Sequence, residues 1–433
     1  MRRWARCAAM LAALWPAILH AQAGGESSQG FAELRVSLFP GASGQAWQVV
    51  ERVRPTLTAE LSERVKLVAT VEAGLRQGRD LSREFQRALE KSELGPLLEA
   101  FECSWPKHEN SLLRIDGAAD YLYVDRLYVD VYAGALDVRV GRQALNWGSA
   151  QFFNPTDPFP EVLLAEPWRA RRGVNAARAT VPFGENHDFA AVVATSDALN
   201  ELRAAAKLRL NWAGTDFALV SVYRGAHRNG LIGLNIRGTL EVGYWLEAAY
   251  LVGDAPHEEL AVGIDYSFPI LERATAFIQY YRNGAGSTDP SGYQRSATLG
   301  AIALPSCTGQ TLPLAPGSST RDPFAPFVSG RDYLIAGSSL MFLPELSASL
   351  AWLQNLNDGT GLLVPTVTYN VVDWLDLALS AQVPYAVNHG GELKPSRRSL
   401  RLTVPAPSGD TLTADLSGLV PDTTLTVWSR ASF

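Results

Sequence analysis

The chain has 433 residues, 47% of them hydrophobic and 19% charged, with 36 Gly, 25 Pro and only 3 Cys. That apolar fraction excludes a disordered tail protein, and three cysteines exclude a disulfide-stapled scaffold or a Cys-rich zinc array. A formal charge of −6 argues against a dedicated nucleic-acid binder, whereas a mean hydropathy of −0.01 is shared by soluble enzymes and one class of membrane protein.

Residues 1–23 read as a cleaved secretory signal peptide. Arg2, Arg3 and Arg6 form a basic n-region, residues 7–18 an apolar core, and Ala21, Gln22 and Ala23 a small-x-small cleavage site. The mature chain is therefore expected to begin at Gly24. The apolar core is shorter than the ~20 residues of a bilayer-spanning helix. Losing three arginines and no acid takes the formal charge from −6 to −9. Cys103 and Cys307 remain for an oxidising compartment, and their separation leaves open whether they form a disulfide.

Beyond the signal, apolar residues recur with period two. Strands are predicted at 31–39, 47–60, 63–76, 118–133, 136–147, 173–182, 188–195, 204–212 and 215–224. They continue at 229–237, 239–251, 260–267, 274–282, 331–342, 347–356, 362–371, 374–382 and 423–433. In 47–60, for example, one face carries Trp47, Val49, Val53, Leu57 and Ala59, and the other Gln48, Arg52, Arg54, Thr56, Thr58 and Glu60. Period two marks half-buried strands, and about ten residues cross a bilayer at a barrel tilt.

The connections alternate as well. Turns at 61–62, 134–135, 184–186, 213–214, 238, 269–272, 344–345 and 372–373 are short, while 77–117, 148–172, 283–330 and 383–422 are long. Sorting by parity is the mark of short periplasmic turns and long outer loops. Within 77–117, Leu81, Phe85, Leu89, Leu97, Leu98 and Phe101 suggest a short amphipathic helix interrupted near Gly95 and Pro96. The expected fold is all-β: residues 24–433 form a single transmembrane antiparallel up-and-down β-barrel of about 18 strands. Sixteen is the alternative, because the first strand is weak and 398–417 reads as a hairpin standing above the membrane. Closure is required because an open edge in hydrocarbon leaves polar groups unpaired, and a barrel of this size holds a lumen.

Alternation assigns Arg52, Arg54, Lys66, Arg126, Arg139, Gln143, Arg178, Lys207, Arg209, Arg224 and Arg237 to the pore lining. The inward acids are Glu60, Glu72, Asp130, Asp137, Asp216, Glu241 and Glu247. Bases exceed acids in this set although the whole chain is acidic, so the lumen is expected to favour anions mildly. The loop 148–172 is the third outer loop and carries Asn154, Asp157, Glu161 and Glu166, which suit a constriction. Arg169, Arg171 and Arg172 follow where it rejoins the wall.

No Walker loop, HExxH or Gly-x-Ser-x-Gly motif occurs, and the histidines beyond the signal are isolated. No catalytic residue, metal or cofactor is expected.

Two motifs carry a resemblance. Leu425, Val427 and Phe433 resemble the terminal strand of Gram-negative outer-membrane proteins, with Ser429 and Ala431 smaller than the usual pattern. The run Gly141, Arg142, Gln143 to Trp147 and Gly148, followed by Asn154, Pro155 and Asp157, resembles porin-like barrels akin to the alginate-export and phosphate-selective porin groups. That resemblance implies a bacterial outer-membrane location and lipid contact. It also implies assembly through Phe433 by the barrel-assembly machinery, and a monomer or homotrimer. In general diffusion porins, which the chain resembles here, the third loop folds inward and narrows the channel. The expected function is passive diffusion of small polar or anionic solutes. A conduit exporting an anionic polymer and a plugged structural or adhesive barrel are the alternatives.

Overall fold

The computed structural model describes residues 26–41, 46–79, 87–88, 90–93, 95, 114–116, 120–157, 159, 171–195, 202–225, 229–253, 256–290, 293, 328–388, 390–394, 401–405, 411–415 and 421–433. The expected signal segment, Cys103, Cys307, Glu161, Glu166 and Arg169 lie outside the described residues. Of the helix expected in 77–117, residues 87, 88, 90, 91 and 95 have helical backbone, and Leu81, Phe85, Leu89, Leu97, Leu98 and Phe101 are outside that description.

The strands are β1 (Glu26–Phe39), β2 (Ala46–Ser62), β3 (Val65–Arg79), β4 (Arg114–Asp116), β5 (Asp120–Ala133), β6 (Leu136–Gln143) and β7 (Val174–Phe183). Next come β8 (His187–Thr195), β9 (Leu202–Trp212), β10 (Thr215–Arg224), β11 (Asn229–Thr239), β12 (Gly243–Val252), β13 (His257–Phe268) and β14 (Arg273–Asn283). The last are β15 (Asp332–Leu343), β16 (Leu346–Asn355), β17 (Thr360–Val372), β18 (Leu375–Ala386), β19 (Arg401–Pro405), β20 (Thr411–Asp415) and β21 (Thr424–Ser432).

Eighteen of these form one closed antiparallel wall, with β21 joining β18 to β1. β4 adds three residues to the edge of β5, and β19 and β20 form a separate two-stranded sheet. The stretch 398–417 thus supplies a separate hairpin rather than wall strands, and the wall has the eighteen strands that alternation predicts.

The two faces of the wall differ in chemistry. Along β10, Val220 and Val222 are buried, while Leu219 and Tyr223 are each 55% exposed. Around the wall the exposed apolar set includes Leu34, Val140, Val193, Ile232, Ile264 and Leu379, and the buried set on the opposite face includes Glu33, Arg52, Glu72, Glu247 and Gln279. In a closed barrel the exposed apolar face meets lipid and the other faces the lumen. Trp212, Tyr266 and Trp374 stand exposed near the short turns and Tyr223 and Tyr250 near the loop ends, as amphipathic rings do at the two interfaces. At the turn from β9 to β10, Ala213 and Gly214 have φ of 49° and 77°, the double positive of a type I′ hairpin whose twist suits the strands.

Two irregularities prepare the interior. Between β3 and β5 the register shifts where Thr70 pairs with Arg126 and Val71 with Val124, leaving Asp125 as an extra residue. A bulge of this kind re-aims side chains, so Asp125 and Arg126 both turn toward the enclosed face. β6 stops at Gln143, four residues short of the expected 147. Gly141 there has φ +123°, a conformation open to glycine, and a Cβ on it would collide with the Leu127 carbonyl oxygen. The chain leaves the wall at this point and enters the lumen.

Candidate lumen and constriction

The described part of the third outer loop runs along the inside of the wall. Gln143 at the exit is fully buried, and its Nε2 donates to the Ala176 carbonyl of β7 at 3.0 Å. The Trp147 carbonyl accepts from Lys207 Nζ of β9 at 3.3 Å. Ser149 Oγ bonds Asn235 Oδ1 of β11 at 2.8 Å, and Ala150 N donates to Glu247 Oε1 of β12 at 2.8 Å. Gln151 N then donates to Gln279 Oε1 of β14 at 2.9 Å, and Gln279 Nε2 to the Phe153 carbonyl at 3.3 Å. Asn154 turns the chain, accepting Asp157 N on its carbonyl at 3.1 Å. Thr156 comes back to Glu247, and Asp157 bonds Arg171, where the loop rejoins the wall.

Apolar packing fixes the same path. Leu145, Trp147 and Phe159 cluster with Ala176, Val192, Ala205, Val220, Val222 and Leu231 on β7–β11. Phe153 packs with Tyr281, Tyr333, Ile335 and Leu353 on β14–β16, 4.5 Å from the Tyr281 ring centroid. The excursion therefore covers the inner wall from β7 to β16. Such burial, at about 25 cal/mol per Å² of apolar surface, holds the loop in addition to its hydrogen bonds.

The remaining wall, from β17 through β21 and β1 to β6, carries the densest charge. Arg52 bonds Glu33 at 2.6 Å and lies 3.8 Å from Glu72; Arg54 bonds Asp125 at 2.6 Å and lies 3.8 Å from Glu72. Arg126 reaches Asp125 at 2.8 Å and also donates to the Arg171 carbonyl, and Arg430 reaches Glu33 at 2.7 Å. Among the described residues this cluster sets four guanidiniums on three carboxylates. Aromatic rings lie under Arg430 of this cluster and under two further arginines of the same wall. Arg430 is 4.5 Å from the Phe31 centroid, Arg76 4.5 Å from Tyr121 and Arg139 4.1 Å from Tyr128.

Arg139 is doubly bonded to Asp130, at 2.5 and 2.9 Å, and stands opposite Arg178 in register. Lys66 pairs in register with Glu60 and Asp130, and Asp137 with Thr180. Arg209 bonds Asp188 at 2.5 Å and lies 3.5 Å from Asp216, whose register partner on β11 is Arg237. Arg224 is buried. Arg142 shares register with the exposed Leu127 and donates to Asn175 Oδ1 at 3.4 Å. Glu241 lies in the exposed turn between β11 and β12. Alternation alone missed Glu33, Asp125, Asp188 and Arg430. Phe31, Glu33, Arg35 and Ser37 carried the signal for Glu33, whereas the bulge hides Asp125.

At the outer mouth a second polar cluster ties loop bases together. Glu392 accepts from Ser329 N, Tyr333 OH, Gly330 N at 3.2 Å and Asn355 Nδ2 at 2.9 Å, while Asp358 accepts Glu392 N at 2.7 Å. Burial, with the adjacent Asp358 carboxylate adding to it, pushes Glu392 above the usual carboxylate range.

No protein-family model matches the sequence, and no curated protein matches it. Solved structures do resemble it. OccK5 (OpdH) of Pseudomonas aeruginosa superposes with a TM-score of 0.51 at 8% identity, covering 94% of this chain and 98% of that one. OpdQ of the same organism gives 0.51 at 7% identity, over 95% and 99%. Wzi of Escherichia coli, described as an outer membrane protein involved in group 1 capsule assembly and a carbohydrate-binding β-barrel, gives 0.50 at 9% identity, over 96% and 86%. Such low identity speaks to fold alone, and the chain has the fold of the Gram-negative outer-membrane porin-like barrels.

Proposed function

We propose that the chain is an outer-membrane channel through which small polar or anionic solutes diffuse passively, and that it performs no covalent chemistry. The observation that carries this reading is the division of the lumen. The described part of the third outer loop lines β7–β16 from inside, and in this reading the bore runs beside it, along the wall that holds Arg52, Arg54, Arg126 and Arg430 on Glu33, Glu72 and Asp125.

Among the described residues that cluster holds one cation more than its acids, and such an excess inside low-dielectric walls raises the local concentration of anions. The excess is small, because most guanidiniums are already engaged, so the preference is mild. Loop and wall together narrow the passage, which favours small solutes over a polymer conduit. In this reading Asn154 borders the constriction, Asp157 holds the returning limb through Arg171, and the predicted lining arginines border the bore.

Purified protein in a planar bilayer under a KCl gradient tests the charge part of the reading. The reversal potential is expected to have the sign of chloride preference. Clear potassium preference would overturn that part and leave only passage of small polar solutes.

A further inference from the structure

Glu247 lies mid-strand on β12 with no exposed surface. Its Oε1 accepts from Ser149 N, from Ala150 N at 2.8 Å, from the Ser149 hydroxyl at 3.2 Å and from Asn235 Nδ2 at 3.3 Å. Its Oε2 accepts from Thr156 N at 3.1 Å and from the Thr156 hydroxyl at 2.8 Å. One wall carboxylate therefore holds both the outgoing and the returning limb of the loop.

Backbone N–H groups converging on one carboxylate make an anion nest, and hydrogen bonds to an ionised acceptor are roughly twice as strong as neutral ones. Among the described residues, Lys207 of the wall reaches only the Trp147 carbonyl, before the tip begins. Gln279 meets Gln151 and Phe153 as a neutral amide, and Asp157 binds Arg171 within the loop itself. The neighbouring strand is shaped for the same seat: a Cβ on Gly233 of β11 would come within 2.8 Å of Thr156 Cγ2.

We propose that Glu247 is the positioning residue that seats the loop in the lumen and thereby sets the bore. The proposal rests on the channel reading above. It makes Glu247 act through the loop, without touching the solute. With Glu247 cut back to Ala, the nest formed by Ser149, Ala150 and Thr156 keeps its donors and loses its acceptor. A small carboxylate supplied from solution then fits the vacated position.

The test is single-channel conductance of wild type and E247A in planar bilayers, in chloride and again with acetate added, with heat-modifiable gel mobility reporting the folded barrel. E247A is expected to conduct at least about twofold more than wild type, because ion flow follows the radius of the pore. Acetate should return E247A toward the wild-type value while leaving wild type as it was.

Equal conductance of E247A and wild type would overturn the proposal while the channel reading stands. A raised conductance that acetate leaves unchanged would overturn the nest. A silent wild type would overturn the channel reading, and this one with it. Should E247A fail to fold, the S149A/T156V double variant removes two donors and leaves Glu247 in place. It should raise conductance by a smaller factor, and no change there overturns the proposal.

Discussion

Glu33 on β1 accepts from Arg52 on β2 at 2.6 Å and from Arg430 on β21 at 2.7 Å, so one buried carboxylate ties three strands where the wall closes on itself. Phe31 lies under both guanidiniums, with its centroid 5.6 Å from Arg52 and 4.5 Å from Arg430. Ser37 and Thr426 add a hydroxyl pair at 3.1 Å farther along the same seam. Removing one partner of a buried ion pair leaves the other charge uncompensated, at a cost of about 3–5 kcal/mol. Glu33→Gln should therefore lower the urea midpoint of the folded barrel, followed by loss of heat-modifiable mobility, far more than Glu60→Gln at the exposed rim. Equal midpoints would show that the seam is held by its backbone ladder alone. This residue-scale network was half legible. Arg52 stands out in a strong alternating run, but its partner sits on the weakest strand and Arg430 on the last one, and a sequence does not display which distant strands meet.

Strands were the most readable elements, because period-two alternation and the parity of the connections are both written locally. Departures from regularity were harder. β6 reads as continuous through 147, since Leu145 and Trp147 keep the apolar rhythm, yet they pack against the inside of β7–β11 after the chain has left the wall. The apolar pattern is the same whether the partner is lipid or the barrel's own lining, so alternation cannot place that boundary. Gly141 is the physical marker of the departure. Gly141→Ala would force φ +123° on a residue with a Cβ aimed at the Leu127 carbonyl. Strain of this kind costs about 1–3 kcal/mol. The expected result is a lower urea midpoint for Gly141→Ala, while the same change at Gly134, in an exposed turn where a Cβ meets nothing within 4 Å, should cost less. A Gly141→Ala barrel as stable as wild type would mean that β6 relaxes without loss.

For the whole molecule, a mean hydropathy of −0.01 is the average of two opposed surfaces. Leu219, Val193 and Ile232 represent the face for lipid, and Arg52, Glu72 and Gln279 the face turned inward. The acidic total likewise says little about the lumen, where, among the described residues, guanidiniums and carboxylates are matched almost one to one along the wall from β21 through β1 to β5. What the sequence could not convey was how its charges are partnered, because pairing depends on the bulge at Asp125, on closure between β1 and β21, and on a loop that crosses half the lining. We propose that this barrel is an open but narrowed passage. Liposome swelling with a graded series of neutral sugars and small organic anions tests it most directly. Swelling well above protein-free liposomes is expected for the smallest solutes, with a steep fall with solute size and faster entry of anions than of cations of equal size. Swelling no faster than lipid alone would contradict an open channel, and rates indifferent to size would contradict a constriction.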